Sequence, residues 1–230
     1  MLTHPLPTLA RKTYAGFARL CRAVRAATAL SVSLSRPGGN VTGVTTITSE
    51  IAPKRLELLR ELVPQAGAFA FLTNFSNARA KQDVAEMQAV ADKLGQKLVA
   101  AGPTTIAEIE AAFGRFAKGS VGAVIVSPDP FFNSIRPQLA AIAARHGIPA
   151  MFAEGAYVRD GGLLSYGASL ADAYRQVGVY TGRVLKGEKP ADLPVQRPVK
   201  FELVVNLKAA KAQGLTIPES FLLRADEVIE

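Results

Sequence analysis

Apolar residues follow two alternating patterns along the chain from about residue 50 onward. Stretches with apolar residues at helical spacing alternate with short, almost continuously apolar runs, and glycine, proline or asparagine separates most of them. The first helical stretch, at 49–64, has Pro53 in its first turn and places these residues on one face: Leu56, Leu59, Leu62 and Val63. The alternation predicts βαβ units, and therefore an α/β fold with a parallel sheet that helices cover on both faces.

The predicted strands are short apolar runs that end at a polar residue or a turn. They lie at 68–74, 96–101, 122–127, 148–154, 161–169 and 200–207. Between them, Asn77 is placed to cap a helix, and Thr105 and Glu108 have the spacing of a capping box. The segment 186–198 is rich in proline and charge, which indicates a surface excursion rather than a further element.

The composition is that of a globular protein, with 49% hydrophobic and 20% charged residues. The net charge of +8 comes mostly from the first 36 residues, which hold no acidic residue, and the remainder carries only about +2. Two interpretations of this basic segment stay open: a solvated leader, or a targeting or nucleic-acid arm. The single cysteine and the two histidines argue against a disulfide framework and against a zinc site.

Candidate ligand-binding residues follow the predicted strands at their carboxyl ends, where the loops of an open α/β sheet meet. They offer hydrogen-bonding groups, carboxylates and aromatic rings, and they are Asn74, Asn77, Asp129, Phe131, Glu154 and Tyr166. Asp129 lies between Pro128 and Pro130, which predicts a rigid loop that projects its carboxylate into the crevice. The alternative is that Asp129 caps the next helix and that the following phenylalanines belong to the core.

The sequence contains no motif typical of an enzyme. It lacks the Gly-x-Ser-x-Gly elbow, the Gly-x-Gly-x-x-Gly fingerprint and the P-loop. Asp129 and Glu154 are an acid–base pair in a catalytic interpretation, but each suits an acceptor for a ligand ammonium or hydroxyl equally well. We therefore expect a binding protein without catalytic residues, cofactor or metal.

Several long segments resemble ABC-transporter substrate-binding proteins of the tryptophan/tyrosine-binding type. The resemblance runs from about Ser33 to Glu230 and is carried by "SLSRPGGNVTGVT", "APKRLELLRELVP", "DPFFNS", "AARHGIPAMF", "GGLLSYGASLADAYRQVGVYTGRVLKGEKPADLPVQ" and "KFELVVNLKAAKAQGL". It implies a type I periplasmic-binding fold with two lobes that close on a small solute. An aromatic or branched amino acid is the ligand class that it implies.

The resemblance also implies a division of the chain. Residues 46–160 are expected to form a complete second lobe, 161–190 a remnant of the first lobe, and 191–230 a return hinge followed by a strand and a helix on the second lobe. The first hinge segment is expected at 33–45, after an atypical basic leader at 1–32. Hinge residues are expected at Asn40, Gly43, Gly161 and Gly162, and most of the first lobe is expected to be missing.

The implied partners are a small-molecule ligand and the permease subunits of an ABC importer, in a periplasmic setting, although residues 1–32 do not make a convincing signal peptide. Nucleic acid is not an expected partner. Two alternatives stay open: the ligand-sensing core of a transcription regulator, and an enzyme on a flavodoxin-like sheet. We also expect self-association, because the helix near 169–186 carries an apolar face that its own lobe would normally cover.

Overall fold

The computed structural model describes residues 34–46 and 51–230, so the expected leader at 1–32 lies outside the described residues. These divide into two compact units. The larger unit holds residues 46–170 and 198–230, and the smaller holds the chain up to Thr45 together with 171–197.

The larger unit is built on a seven-stranded sheet with the order β2-β1-β3-β4-β5-β6-β7. The strands are β1 Ala68–Leu72, β2 Leu98–Ala101, β3 Val121–Val126, β4 Ala150–Phe152, β5 Leu164–Ala168, β6 Phe201–Asn206 and β7 Glu227–Ile229. All neighbouring pairs are parallel except β5 and β6. The predicted α/β fold is confirmed, and the predicted parallel sheet is confirmed for every pair but β5 and β6.

Helices follow the strands in the predicted alternation. They are α1 Ala52–Leu62, α2 Ala80–Lys93, α3 Ile106–Lys118, α4 Pro130–Ser134, α5 Arg136–Arg145, α6 Gly155–Arg159, α7 Leu170–Leu185, α8 Leu207–Ala212 and α9 Glu219–Leu222. Successive residues of a strand point to opposite faces, so the central strands β1, β3 and β4 supply both cores of the unit. In β1, Phe69 and Phe71 pack with residues of α1 and α2, whereas Ala70 and Leu72 pack with α3 and α5. The sheet is thus buried on both faces.

Local capping signals from the sequence have mixed outcomes. Thr105 is the N-cap of α3, and its hydroxyl accepts a hydrogen bond from the Glu108 N–H at 3.2 Å, as predicted. Asn77 is not a helix cap, because α2 begins at Ala80 after Arg79. Its side-chain oxygen instead accepts from the Arg79 N–H at 3.0 Å, which makes a turn two residues long ahead of the helix.

The predicted boundary at residue 161 differs from the structure. The strand that follows Gly161 and Gly162 is β5, which pairs with β4 and β6 in the sheet of the larger unit. The chain passes to the smaller unit only between Leu170 and Ala171. The two glycines therefore lie in the turn before β5, inside one unit, and the chain does not pass between the units at them.

Strand β6 runs antiparallel to β5 because of where the chain leaves and re-enters the sheet. Ala168 at the end of β5 pairs with Phe201 at the start of β6, and the Ser169 N–H donates to the Lys200 carbonyl at 2.9 Å. Residues 171–197 belong to the smaller unit, so the chain returns at the edge where it left. A strand that starts at that edge must run in the opposite direction.

The smaller unit is held together around Leu193, which is fully buried. The Tyr180 hydroxyl on α7 donates to the Pro194 carbonyl at 2.6 Å, and the Thr42 hydroxyl donates to the Leu193 carbonyl at 2.6 Å. Val44 pairs with Gln196 in an isolated parallel bridge. These contacts join the segment 34–45 to the segment after α7.

Candidate ligand-binding site

The six candidate ligand-binding residues all belong to the larger unit; five follow strands that run in one direction, and Tyr166 lies in β5. β1, β3, β4 and β5 are parallel neighbours, so the loops after them emerge at one edge of the sheet. We call this the carboxyl edge. The first turn of α1 lies there too, because the Arg55 Nε donates to the carbonyl of Tyr166 near the end of β5 at 2.7 Å.

Asp129, Asn74 and Asn77 come together at this edge, as the sequence predicted. One carboxylate oxygen of Asp129 accepts from Asn74 Nδ2 at 3.0 Å, and the other accepts from Asn77 Nδ2 at 3.1 Å. The Phe131 N–H donates to the same carboxylate at 2.9 Å, which makes Asp129 the N-cap of α4. The carboxylate therefore ties the loop after β1 to the loop after β3.

The expectation that Asp129 projects into a crevice is wrong, because the residue is only 4% exposed. Of the two alternatives, the capping role is the one that the structure shows. A buried carboxylate needs donors to offset its desolvation, and three internal donors already occupy this one. A direct contact between Asp129 and a ligand stays a prediction.

Glu154 follows β4 and belongs to a second polar cluster. Its Oε1 accepts from Asn133 Nδ2 at 3.1 Å. The side-chain oxygen Oδ1 of Asn133 in turn accepts from the Tyr157 hydroxyl at 2.7 Å. Burial, with a smaller contribution from Glu154, raises the pKa of Tyr157 well above its usual value, so the phenol keeps its proton and acts as donor. Glu154 itself is partly exposed and has acceptor capacity left.

Two sets of aromatic rings border the carboxyl edge. Phe131 is half-buried and its ring centroid lies 5.6 Å from that of Phe132, which is fully buried in the core as expected. The half-buried ring of Tyr166 stacks on Phe201 with a centroid distance of 6.1 Å and an interplanar angle of 24°. Phe131, Tyr166 and Phe201 thus leave part of their rings accessible, which suits an apolar ligand body.

Sequence reasoning missed Arg55, which lies in the first turn of α1 and is only 3% exposed. Its Nε is satisfied by the Tyr166 carbonyl, but its Nη2 has no hydrogen-bond partner among the described residues. Burial lowers the pKa of this guanidinium to about 10, against the attraction of Glu154 and Tyr166. A buried cation with one donor atom unused is costly for the fold.

A sequence signal for Arg55 was present in the helical pattern. Residues 55, 59 and 62 have the spacing i, i+4, i+7, so Arg55 lies on the same stripe as Leu59 and Leu62. Arginine is rarely fully buried unless it is paired. A charge on the apolar stripe of the first helix therefore indicates a buried arginine that needs a partner.

A family model decides the relationship. The model described as "ABC transporter substrate binding protein" matches residues 21–229. The chain belongs to this family. The match begins inside the segment 1–32 that was expected to be an atypical leader, and it includes every candidate residue of the carboxyl edge.

Individual relatives support the tryptophan/tyrosine-binding type within the family. The chain is 28% identical over 198 residues to a tyrosine-binding protein of Clostridioides difficile strain R20291, which covers 85% of this chain and 56% of the relative. It is 32% identical to a solved ABC domain from Streptococcus pneumoniae in complex with L-Trp, with a TM-score of 0.77 over 89% of this chain and 68% of the other. A conserved domain protein from Vibrio cholerae O1 biovar El Tor is 28% identical with a TM-score of 0.77, over 88% of this chain and 68% of that one.

The relatives are longer than this chain, which spans little more than half of the curated tyrosine-binding protein. The solved structures confirm the type I binding-protein fold for the part that is shared. Among the residues that the structure describes, none of the helices combines the length and the apolar character needed to cross a membrane.

Proposed function

We propose that the chain is the solute-binding component of an ABC importer, and that its ligand is an aromatic amino acid. The observation that carries the proposal is the similarity, over 89% of this chain, to a protein solved with L-Trp. The carboxyl edge is consistent with such a ligand, since it combines a partly exposed carboxylate at Glu154 with accessible rings of Phe131 and Tyr166. In this role the protein delivers its ligand to permease subunits on the outer side of the membrane.

The proposed roles of the site residues follow from their contacts. Glu154 binds the ligand ammonium, and Phe131 and Tyr166 cover the aromatic side chain. Asn74 and Asn77 contribute at the rim, held in place by Asp129. Branched amino acids fill the same apolar space less completely and are expected to bind more weakly.

We assign hinge behaviour to the segment with Asn40 and Gly43. The Gln196 N–H donates to the Gly43 carbonyl at 2.9 Å, and the Thr45 N–H donates to the Gln196 carbonyl at 2.8 Å. Gly43 and Thr45 lie within two residues of the unit boundary after Thr45, and Gln196 lies within two residues of the boundary after Arg197. Two chain crossings thus lie side by side, as expected where paired strands bend together.

The proposal is tested by saturation-transfer NMR of this chain with an amino-acid panel, a method that detects weak complexes. L-Tryptophan and L-tyrosine should give the strongest transfer, then leucine and isoleucine, and charged amino acids and sugars should give none. Binding of duplex DNA without amino-acid binding would overturn the proposal and favour the regulator alternative. That alternative is less supported, because the family match over 21–229 is to transporter proteins.

A further inference from the structure

The buried guanidinium of Arg55 has one donor atom, Nη2, without a partner among the described residues at the carboxyl edge. Nη2 makes no hydrogen bond with the described residues, although the residue is only 3% exposed. Nearly all buried polar groups of native proteins are hydrogen-bonded, so an unpaired cationic donor requires an explanation. A partner that is absent from the chain itself is such an explanation.

The surroundings of Arg55 favour an anion as that partner. The residue lies in the first turn of the eleven-residue helix α1, where the backbone dipole adds positive potential. The charged and titratable groups that face it are Glu154 from the loop after β4 and Tyr166 on β5. Glu154 is held toward Asn133 at 3.1 Å, so its carboxylate does not neutralise Arg55 through a direct bond.

The guanidinium lies close to the backbone of β5 at Gly167. Nη2 lies 3.6 Å from the place where a Cβ on Gly167 would sit, and that Cβ would lie 1.8 Å from the Ala153 carbonyl oxygen. The ends of β4 and β5 therefore approach each other closely beneath Arg55. Arg55 Nε donates to the Tyr166 carbonyl at 2.7 Å, so the guanidinium lies beside a strand that carries a candidate ligand-binding residue.

We propose that Arg55 binds the carboxylate of the ligand, through the Nη2 group that the chain leaves unpaired. The inference rests on the proposed function and deepens it: Arg55 holds the carboxylate of an amino acid whose ammonium faces Glu154. A planar guanidinium suits a carboxylate because it offers two parallel N–H donors. Without ligand the buried charge destabilises the fold, and with ligand the carboxylate offsets that cost.

The test compares ligands that differ in one group. Saturation-transfer and titration NMR give relative Kd values for L-tryptophan, L-tryptophanamide, which lacks the carboxylate, and indole-3-propionate, which lacks the ammonium. The unmodified chain should bind the acid at least about tenfold more tightly than the amide, since one charged hydrogen bond is worth roughly a factor of ten. Equal binding of acid and amide would overturn the role of Arg55 and leave the proposed function intact.

Variants locate the effect. Arg55→Gln should bring the acid-to-amide ratio close to one, and Arg55→Lys should restore part of it. Arg60→Gln is the matched control on the same helix, because Arg60 is exposed, and it should keep the ratio of the unmodified chain. An unchanged ratio in a folded Arg55→Gln chain would contradict the proposal.

Two further readouts separate the possible failures. A purely structural Arg55 predicts that Arg55→Gln lowers the Tm of the ligand-free chain with no change in the ratio, whereas we expect the Tm to hold or rise. If the amino acids fail to bind but indole-3-propionate binds in an Arg55-dependent way, the anion site stands and the amino-acid function falls. If no carboxylate binds, both are overturned. The comparison of acid with amide is made on the unmodified chain, so it does not depend on whether a variant folds.

Discussion

At the scale of single residues, the carboxyl edge is organised by hydrogen bonds that the chain makes with itself. Asp129 accepts from Asn74, Asn77 and the Phe131 N–H, and Glu154 accepts from Asn133. These bonds fix the loops after β1, β3 and β4 before any ligand arrives, which lowers the entropy cost of binding. Arg55 is the exception, since one of its donors is left over.

Asp129→Ala should lower the free energy of unfolding by about 2 kcal/mol. Loss of the N-cap bond from the Phe131 N–H accounts for about 1 kcal/mol, and the side-chain donors of Asn74 and Asn77 that lose their acceptor account for the rest. Denaturant unfolding measures the change. Asp92→Ala is the control, because Asp92 is exposed on α2 and bonds only Gln88 in the described contacts; it should change stability by less than about 0.5 kcal/mol. A change at Asp129 as small as the control would show that the three hydrogen bonds contribute nothing.

At the scale of elements, the helices begin at the carboxyl edge for local reasons. Thr105 caps α3 and Asp129 caps α4, and Pro53 and Pro130 stand in the first turns of α1 and α4. Short stretches of sequence therefore determine where these helices start. Their position at one edge follows from the parallel strands that precede most of them.

Thr105→Ala should cost about 1 kcal/mol of stability, the usual effect of removing a side-chain N-cap. The Glu108 N–H loses its acceptor, while the Glu108 carboxylate keeps its bonds to the N–H and the hydroxyl of Thr104. Chemical denaturation is the measurement. Thr181→Ala on α7 is the comparison, because that exposed hydroxyl donates back to the Val177 carbonyl inside a helix; it should be neutral or slightly stabilising. If both variants lost the same stability, the cap would have no special role.

At the scale of the whole molecule, the two units are unequal. The larger unit has a seven-stranded sheet with a core on each face, whereas α7 in the smaller unit buries only Ala173 and Tyr180. Its exposed apolar residues are Leu170, Tyr174, Val177, Val179, Val184 and Leu185, with Tyr174 at 74% and Leu185 at 82% exposure. All of these except Val179 share one side of α7 by helical spacing, and an exposed apolar face of this kind favours association.

We expect this chain to self-associate through α7 in solution. Sedimentation velocity over a range of concentrations should show dimers or larger species, and Tyr174→Lys combined with Leu185→Glu should shift the distribution toward monomer. Val99→Lys, on the edge strand β2 of the larger unit and 42% exposed, is the control and should leave the association unchanged. A chain that is monomeric at every concentration would contradict the expectation.

The sequence by itself determined the elements and the fold class, because those depend on patterns within ten or fifteen residues. Periodicity located each of the first six strands to within a few residues, and the parallel direction of β1 to β5 followed from their alternation with helices. Strand β7 and the short helix α9 lie in a tail where the pattern is weak, and they were not predicted. The sequence also placed Asn74, Asn77 and Asp129 near one another, since loops after parallel strands share an edge.

Only the tertiary structure decided what those residues do. Whether the Asp129 carboxylate faces a crevice or its own loops depends on where two loops 55 residues apart meet, as the Asn74 contact shows. The assignment of β5 to the larger unit depends on strand pairing across the excursion from 169 to 200, which no local pattern encodes. Arg55 is the clearest case: its place on an apolar stripe was visible, but its unpaired donor is a property of atoms brought together from α1, β4 and β5.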